Sequence, residues 1–402
     1  MGPLEGLKIL DLTSSIGGAV CTMLLSDMGA EVIRLEKPEG DFLSNYGPKV
    51  NGRSIVEMTL NRGKKSVFMS LYDEQQKALF LKMAENADAV IADCMLSELY
   101  ALGCGYETLK AANAKIVLTC LTPFGQSGPL SGRAADETTL QAMSGVMSMV
   151  GDFGGEPVRV GTEVAETTGA YYAFIGTMAA ILEAEKTGIG QVVDVAELDA
   201  MYTMGEAPVI RHDMAGMVPA LCGNRHPSTV PVGDYTCKDG KQLVVNITTD
   251  EQFANFANAT ESPELIAGDL KFAAERVNHR EEAEEMISAA FAKFDRAEIM
   301  KRFDAANLPY GVINDAASIT EDEENRGRHM VATVTAADGT VLKAVASPIK
   351  MTGMEEKTAY ETPLYGCDSV RIAAEYIGID AAEKLYANVS GSPEGFGAFE
   401  VQ

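Results

Sequence analysis

Apolar and polar positions along the first half of the chain come in alternating blocks. An apolar run from Leu7 to Leu12 leads into a turn of small residues (Ser14, Ser15, Gly17, Gly18). A helix-period pattern follows to Gly29, and a second apolar run, Glu31 to Leu35, closes with Glu36. A strand–helix–strand crossover of this length forces the two strands parallel and puts any binding edge at their carboxyl ends. The alternation then repeats. SVFMSL at 66–71 predicts a strand, and 73–86 a helix with Asp73 as its N-cap. Further strands are predicted at 89–93 and 115–119, with short helices at 96–102 and 106–113 between them. Helices over 137–150 and 166–186, a strand at 191–195 and a helix over 197–214 complete this part. Short apolar strands alternating with helices specify a parallel sheet covered on both faces, an α/β fold with a Rossmann-like large domain.

The texture changes after Leu221. GNRHPSTVPVGDY is rich in Pro, Gly and Ser, and CKDGKQLVVNI reads as a hairpin turning at Asp239-Gly240. Helices are predicted near 250–258, 280–294 and 297–306. A second hairpin, ATVTAADGTVLKAVASPIK, turns at Asp338-Gly339. These changes divide the chain into a large domain over 1–220, a small α+β domain over 221–325, and a C-terminal segment, 326–402, that returns to the large domain.

Composition narrows the function. A net charge of −25 argues against nucleic acid and anionic membranes as partners. No apolar run approaches the roughly 18 residues that a membrane span needs, and the start lacks a signal-peptide pattern, so a cytoplasmic protein is expected. The seven cysteines are scattered and never at CxxC spacing, which predicts reduced thiols. With only His212, His226, His279 and His329, metal sites and histidine triads have little raw material. Arg34, Lys37, Arg62, Lys64 and Lys65 gather near the start, where they would offset the charge of a polyanionic ligand.

The layout of the opening first suggests a dinucleotide site, with Glu36 on a ribose. The turn Ser14-Ser15-Ile16-Gly17-Gly18-Ala19-Val20 lacks the GxGxxG fingerprint, however, and no Walker A loop is present. Nine segments in order carry a different likeness: LxGLKILDLT, LLSDMGAEVIRLEKPEGD, NRGKKS, ENADAVIADC, LGCGYETL, PFGQSGP, LQAMSGVM, TGIGQVVDVAELDA and GNRHP. Over nearly its whole length the chain resembles the family III CoA-transferases, the CaiB/BaiF group, which also includes the α-methylacyl-CoA racemases.

The resemblance implies transfer of coenzyme A between an acyl-CoA thioester and a carboxylic acid, through a covalent carboxylate intermediate, without a metal. It also implies a homodimer whose two subunits interlock. The family nucleophile is an aspartate ahead of a long helix, and the matching position in VGTEVAETTGAYYAF holds Glu166, with Glu163 and Glu137 as neighbouring carboxylates. Coenzyme A contacts implied by the same likeness are Ile16 and Gly17 in the first turn and Lys37 after the second strand. Met69, Ser70, Leu71 and Tyr72 follow, then Asp93, Cys94 and Arg133. The usual ENFRPG is replaced by Ala92-Asp93-Cys94-Met95-Leu96-Ser97, which leaves Arg62, Lys64 and Lys65 to supply charge. His226 of GNRHP reads as structural, and the stretch 228–233 has one glycine where some relatives carry a glycine-rich flap. The alternatives are a 2-methylacyl-CoA racemase or epimerase, with Asp136 standing where that branch keeps a histidine, and a CoA-binding homologue altered in catalysis.

Overall fold

A computed structural model describes residues 2–37 and 40–387. Six parallel strands form the main sheet: β1 (Lys8–Asp11), β2 (Glu31–Glu36), β3 (Lys65–Phe68), β4 (Ala89–Ala92), β5 (Val117–Thr122) and β6 (Val192–Ala196). Their order is β3-β2-β1-β4-β5-β6, every pairing parallel. The order reverses between β1 and β4, and a crevice therefore opens beyond their carboxyl ends.

Successive residues of these strands feed opposite faces. Ile9, Val32, Ile91 and Val117 join one core with Ala19, Leu25, Ala170 and Ala173. Leu10, Ile33, Val90 and Leu118 join another with Phe80, Met83 and Leu109. Burial on both faces is why an inner strand such as β4 reads as an unbroken apolar run. Helices 369–377 and 379–386 return to this second core, and the hydroxyl of Tyr386 donates to the carbonyl of Phe68 at 2.8 Å. Residues 388–402, which the sequence assigns to the returning segment, lie outside the described residues.

Four helices position the site: α1 (Ile16–Asp27), α2 (Glu137–Met143), α3 (Val164–Thr187) and α4 (Glu197–Thr203). Ser15 caps α1, accepting from the Gly18 amide at 3.1 Å. Two helices are shorter than the sequence pattern suggests. The one expected over 137–150 stops at Met143 and turns through Gly145 at φ +84°, a conformation that favours glycine; a 3₁₀ turn, Val146–Met149, follows. The one expected over 197–214 breaks at Met204-Gly205 and resumes as 206–215.

Apart from Lys37, the basic residues near the start are committed to carboxylates of the protein itself. Lys64 is buried and bonds Asp11 at 3.0 Å, Thr22 at 2.7 Å and Asn61 at 2.9 Å. Arg34 bonds Glu36 at 2.8 Å and also Asp41. Arg62 grips Asp27 with two bonds and lies 4.7 Å over the Tyr360 ring, while Lys65 pairs with Glu31. Arg62, Lys64 and Lys65 are therefore not free to replace the missing family arginine. A buried cation without its counter-ion would cost several kcal/mol, so each is placed where a carboxylate already is. Glu36 is equally committed, to Arg34 and to Ser66 at 2.9 Å, and is not a ribose contact.

The chain divides into two compact units. The first comprises 1–146, 160–214 and 323–402; the second comprises 147–159 and 215–322. The first also carries a small sheet of 331–336, 341–345 and 359–362, with the Asp338-Gly339 turn at its hairpin. In the second, strands 232–236, 242–246 and 310–311 pair antiparallel. Its core is aromatic, with Tyr235 stacked on Phe291 at 4.7 Å and Phe253, Phe256 and Phe303 around them. Among the described residues no helix is long and apolar enough to cross a membrane.

Candidate active site

The crevice between β1 and β4 is closed at its base by a carboxylate. Asp93, just past β4, accepts from the amides of Ser14 and Ser15 at 2.5 and 2.6 Å, and so fixes the turn that launches α1. That turn aims the first amides of α1 outward, where a helix N-terminus favours an anion. The anion is Glu166. Its Oε2 accepts from the Gly17 amide at 3.0 Å, and Ile16 supplies a second backbone contact.

Glu166 lies in the first turn of α3, and α2 holds that turn in place. The carboxylate of Glu137 accepts from the amides of Ala165 at 2.9–3.0 Å and Glu166 at 3.1 Å, and from Gln141 at 2.7 Å. Glu137 is thus a cap from a neighbouring helix, with its lone pairs committed. Glu163 accepts from the Tyr46 hydroxyl at 3.1 Å. Burial raises Glu166 above the ordinary carboxylate range, and Glu137 and Glu163 add to this; the Gly17 and Ile16 amides pull it back.

A further carboxyl, Glu197 at the start of α4, is part of the crevice and was not among the residues expected from the sequence. It is 5% exposed. Its Oε1 stands 3.1 Å from where a β-carbon on Gly17 would sit, and its Cγ 2.9 Å from the same position on Gly169. The missing side chains of Gly17, on α1, and Gly169, on α3, make the space that it fills. Burial pushes Glu197 up to about 8, with Glu166, Asp93 and Glu137 adding to it. A carboxylate directly after the buried strand end Val195-Ala196, in VVDVAELDA, was the available signal.

The other residues implied for coenzyme A sit at the same carboxyl edge of the sheet, in different states. Lys37 is exposed after β2, within electrostatic reach of Cys94 after β4. Met69 is 2% exposed and its side chain belongs to the core; the Ser70 amide is bonded to Gln76. Leu71 is half-buried, whereas Tyr72 is 82% exposed. Cys94 is pushed up to about 12 by burial, so its thiol stays protonated. Gln126, from the FGQSGP loop, accepts from the Leu96 amide at 2.7 Å and donates to the Cys94 carbonyl at 3.3 Å, tying the loops after β4 and β5 together. Arg133 is exposed beside the Phe124 ring.

Asp136 behaves as a helix cap. It accepts from the amide and hydroxyl of Thr139 at 2.8 Å each, bonds that hold it below the ordinary range. A proton-abstracting base needs the opposite shift. His226 accepts from Ser228 and lends its carbonyl to Arg280, a structural arrangement.

The family model of CoA-transferase family III matches residues 4–369. Among curated proteins, a succinyl-CoA:mesaconate CoA-transferase of Haloarcula hispanica is 31% identical, covering 90% of this chain and 94% of that protein. An acetyl-CoA:oxalate CoA-transferase of Acetobacter aceti is 31% identical, covering 88% and 90%. A succinate–glutarate CoA-transferase of Agrobacterium fabrum is 30% identical, covering 93% and 95%. A CaiB/BaiF family protein from Brucella suis superposes with a TM-score of 0.84 at 27% identity, covering 93% of this chain and 99% of that one.

Proposed function

The chain belongs to CoA-transferase family III and is a CoA-transferase, and from that premise we propose that Glu166 carries the transfer as a covalent carboxylate. Its oxygen adds to the thioester carbonyl, and the carbon–sulfur bond breaks. Coenzyme A leaves as the thiolate, and a mixed anhydride remains on Glu166. The thiolate then attacks the glutamyl carbonyl, releasing the donor acid and leaving a glutamyl thioester. The acceptor carboxylate displaces coenzyme A from that thioester as a second anhydride. The returning thiolate attacks the acceptor acyl carbon and frees Glu166. Overall one thioester is exchanged for another of similar energy, so no nucleotide is consumed.

The observation carrying this reading is the Glu166 carboxylate held 3.0 Å from the Gly17 amide at the N-terminus of α1. The α1 amides restrain the nucleophile, and they stand where negative charge develops on the carbonyl oxygen during each addition. The longer glutamate side chain is accommodated by a glycine at the contact and a carboxylate cap behind α3.

Coenzyme A is proposed to lie along the carboxyl edge of the sheet, with Lys37 toward its phosphates, Leu71 and Tyr72 toward adenine, and Ile16, Gly17, Cys94 and Arg133 along the pantetheine arm. Met69, Ser70 and Asp93 shape that surface from beneath. The acceptor is proposed to be a small dicarboxylic acid, the class of mesaconate, oxalate and glutarate in the names of the three relatives. We also propose a cytoplasmic, interlocked homodimer. Apolar side chains left exposed on α3 and after it, Tyr171, Ile175, Leu182, Tyr202, Ile210 and Met214, support a covered face.

The test is chemical trapping. Incubation with succinyl-CoA followed by hydroxylamine or borohydride should modify Glu166, read by mass spectrometry. Glu166→Gln should lower kcat by roughly 10⁴-fold or more. Unchanged turnover in that variant would overturn the assignment.

A further inference from the structure

The two innermost carboxyls of the crevice are held very differently. Glu166 accepts a backbone hydrogen bond at 3.0 Å and faces the N-terminal amides of α1. Glu197, more deeply buried, has no hydrogen-bond donor among the described residues, and the charged groups facing it are all carboxyls: Glu166 from α3, Asp93 from the β4 loop and Glu137 from α2. No cation stands among them. Two neighbouring carboxyls with these surroundings cannot both ionise at moderate cost, and the one without donors keeps the proton.

We propose that Glu197 is a positioning residue, a neutral carboxylic acid wedged in the notch of Gly17 and Gly169 that confines the charge of the pair to Glu166. This rests on the reading of Glu166 as nucleophile. The neutral acid matters because everything approaching the site is anionic: acceptor carboxylate, thiolate and the oxyanion of each addition. Were Glu197 ionised, each would meet a second negative charge beside Glu166. Activity is then present while Glu197 holds its proton and is lost as pH rises through its ionisation. Above that point the rate falls about tenfold per pH unit.

The experiment compares pH profiles of kcat/KM for succinyl-CoA, with glutarate as acceptor, in the wild type and Glu197→Gln, an isosteric neutral replacement. With a midpoint near pH 8, the wild type should fall about tenfold between pH 7 and 9. Glu197→Gln should stay within about threefold of wild type at pH 7 and run level to pH 9. Superimposable profiles would overturn the proposal. An infrared titration of the substrate-free protein supplies a readout that does not depend on that variant folding. A carboxylic acid band should vanish with a midpoint near pH 8, and in Glu166→Gln that midpoint should move down, since the opposing charge is gone. An unmoved midpoint would also overturn the proposal. Hydroxylamine trapping in the same samples separates the two failures. A Glu166 adduct with unchanged profiles removes only the role of Glu197; no adduct in the wild type removes the nucleophile and the positioning role with it.

Discussion

The protein buries charge in two places and treats it in opposite ways. Around Asp11 every carboxylate meets a donor or cation: Lys64 at 3.0 Å, Thr13 and Thr22 at 2.7 Å each, with Arg34 beyond. Around Glu166, carboxyl faces carboxyl, and among the described residues the only donors to it are backbone amides. Burial opposes the charge of Asp11, yet Lys64 and Arg34 hold it below the ordinary range; burial of Glu197, with its acidic neighbours, raises it. The first arrangement is closed and can only hold the turn after β1 to the loop before β3. The second is left electrostatically incomplete, the kind of arrangement in which perturbed carboxyls mark a candidate functional site.

Three measurements press on this contrast. The largest effect is expected from Lys64→Met, which leaves Asp11 buried without its counter-ion and should cost about 3–5 kcal/mol of stability. Denaturant unfolding would show it, and folded molecules should keep their kcat. A comparable loss of kcat at full stability would erase the distinction between the two regions. Next comes Gly17→Ala. Its methyl would stand 3.0 Å from the Glu166 carbonyl oxygen and 3.1 Å from Glu197 Oε1. A shift of a few tenths of an ångström there should lower kcat about tenfold, with the fold retained. Steady-state kinetics at pH 7 would test it. The smallest effect is on stability against pH. A carboxyl whose folded-state value is raised to about 8 destabilises the fold as pH climbs above the ordinary carboxylate range, most fully beyond pH 8. Glu197→Gln should therefore melt a few degrees higher than wild type at pH 9 and at about the same temperature near pH 4.

The sheet was legible because its inner strands are buried on both sides, so apolar runs such as Ala89–Ala92 stand out without knowledge of their neighbours. Glu166 was legible only by its place in a motif, since a first-turn glutamate is otherwise an ordinary helix residue. The positions around NRGKKS were misread for a physical reason. A lysine or arginine after a polar turn resembles solvated charge, and nothing local reveals that Asp11 and Asp27 wait inside. Glu197 was hidden more thoroughly. Its depth depends on two glycines, in α1 and α3, that lack side chains where α4 arrives. The fragmenting of 137–150 was available in principle, as Gly145 takes a left-handed turn; the pattern of apolar residues ran on past it.

The paired glycine notch has a consequence for how this chain can change. Position 197 is sized by what positions 17 and 169 omit, so a larger residue at either glycine would demand a smaller one at 197, and a small residue at 197 would leave a void that either glycine could grow into. These three sites are therefore bound to drift together or not at all, and a library that randomises them jointly should return functional combinations that no single replacement can reach.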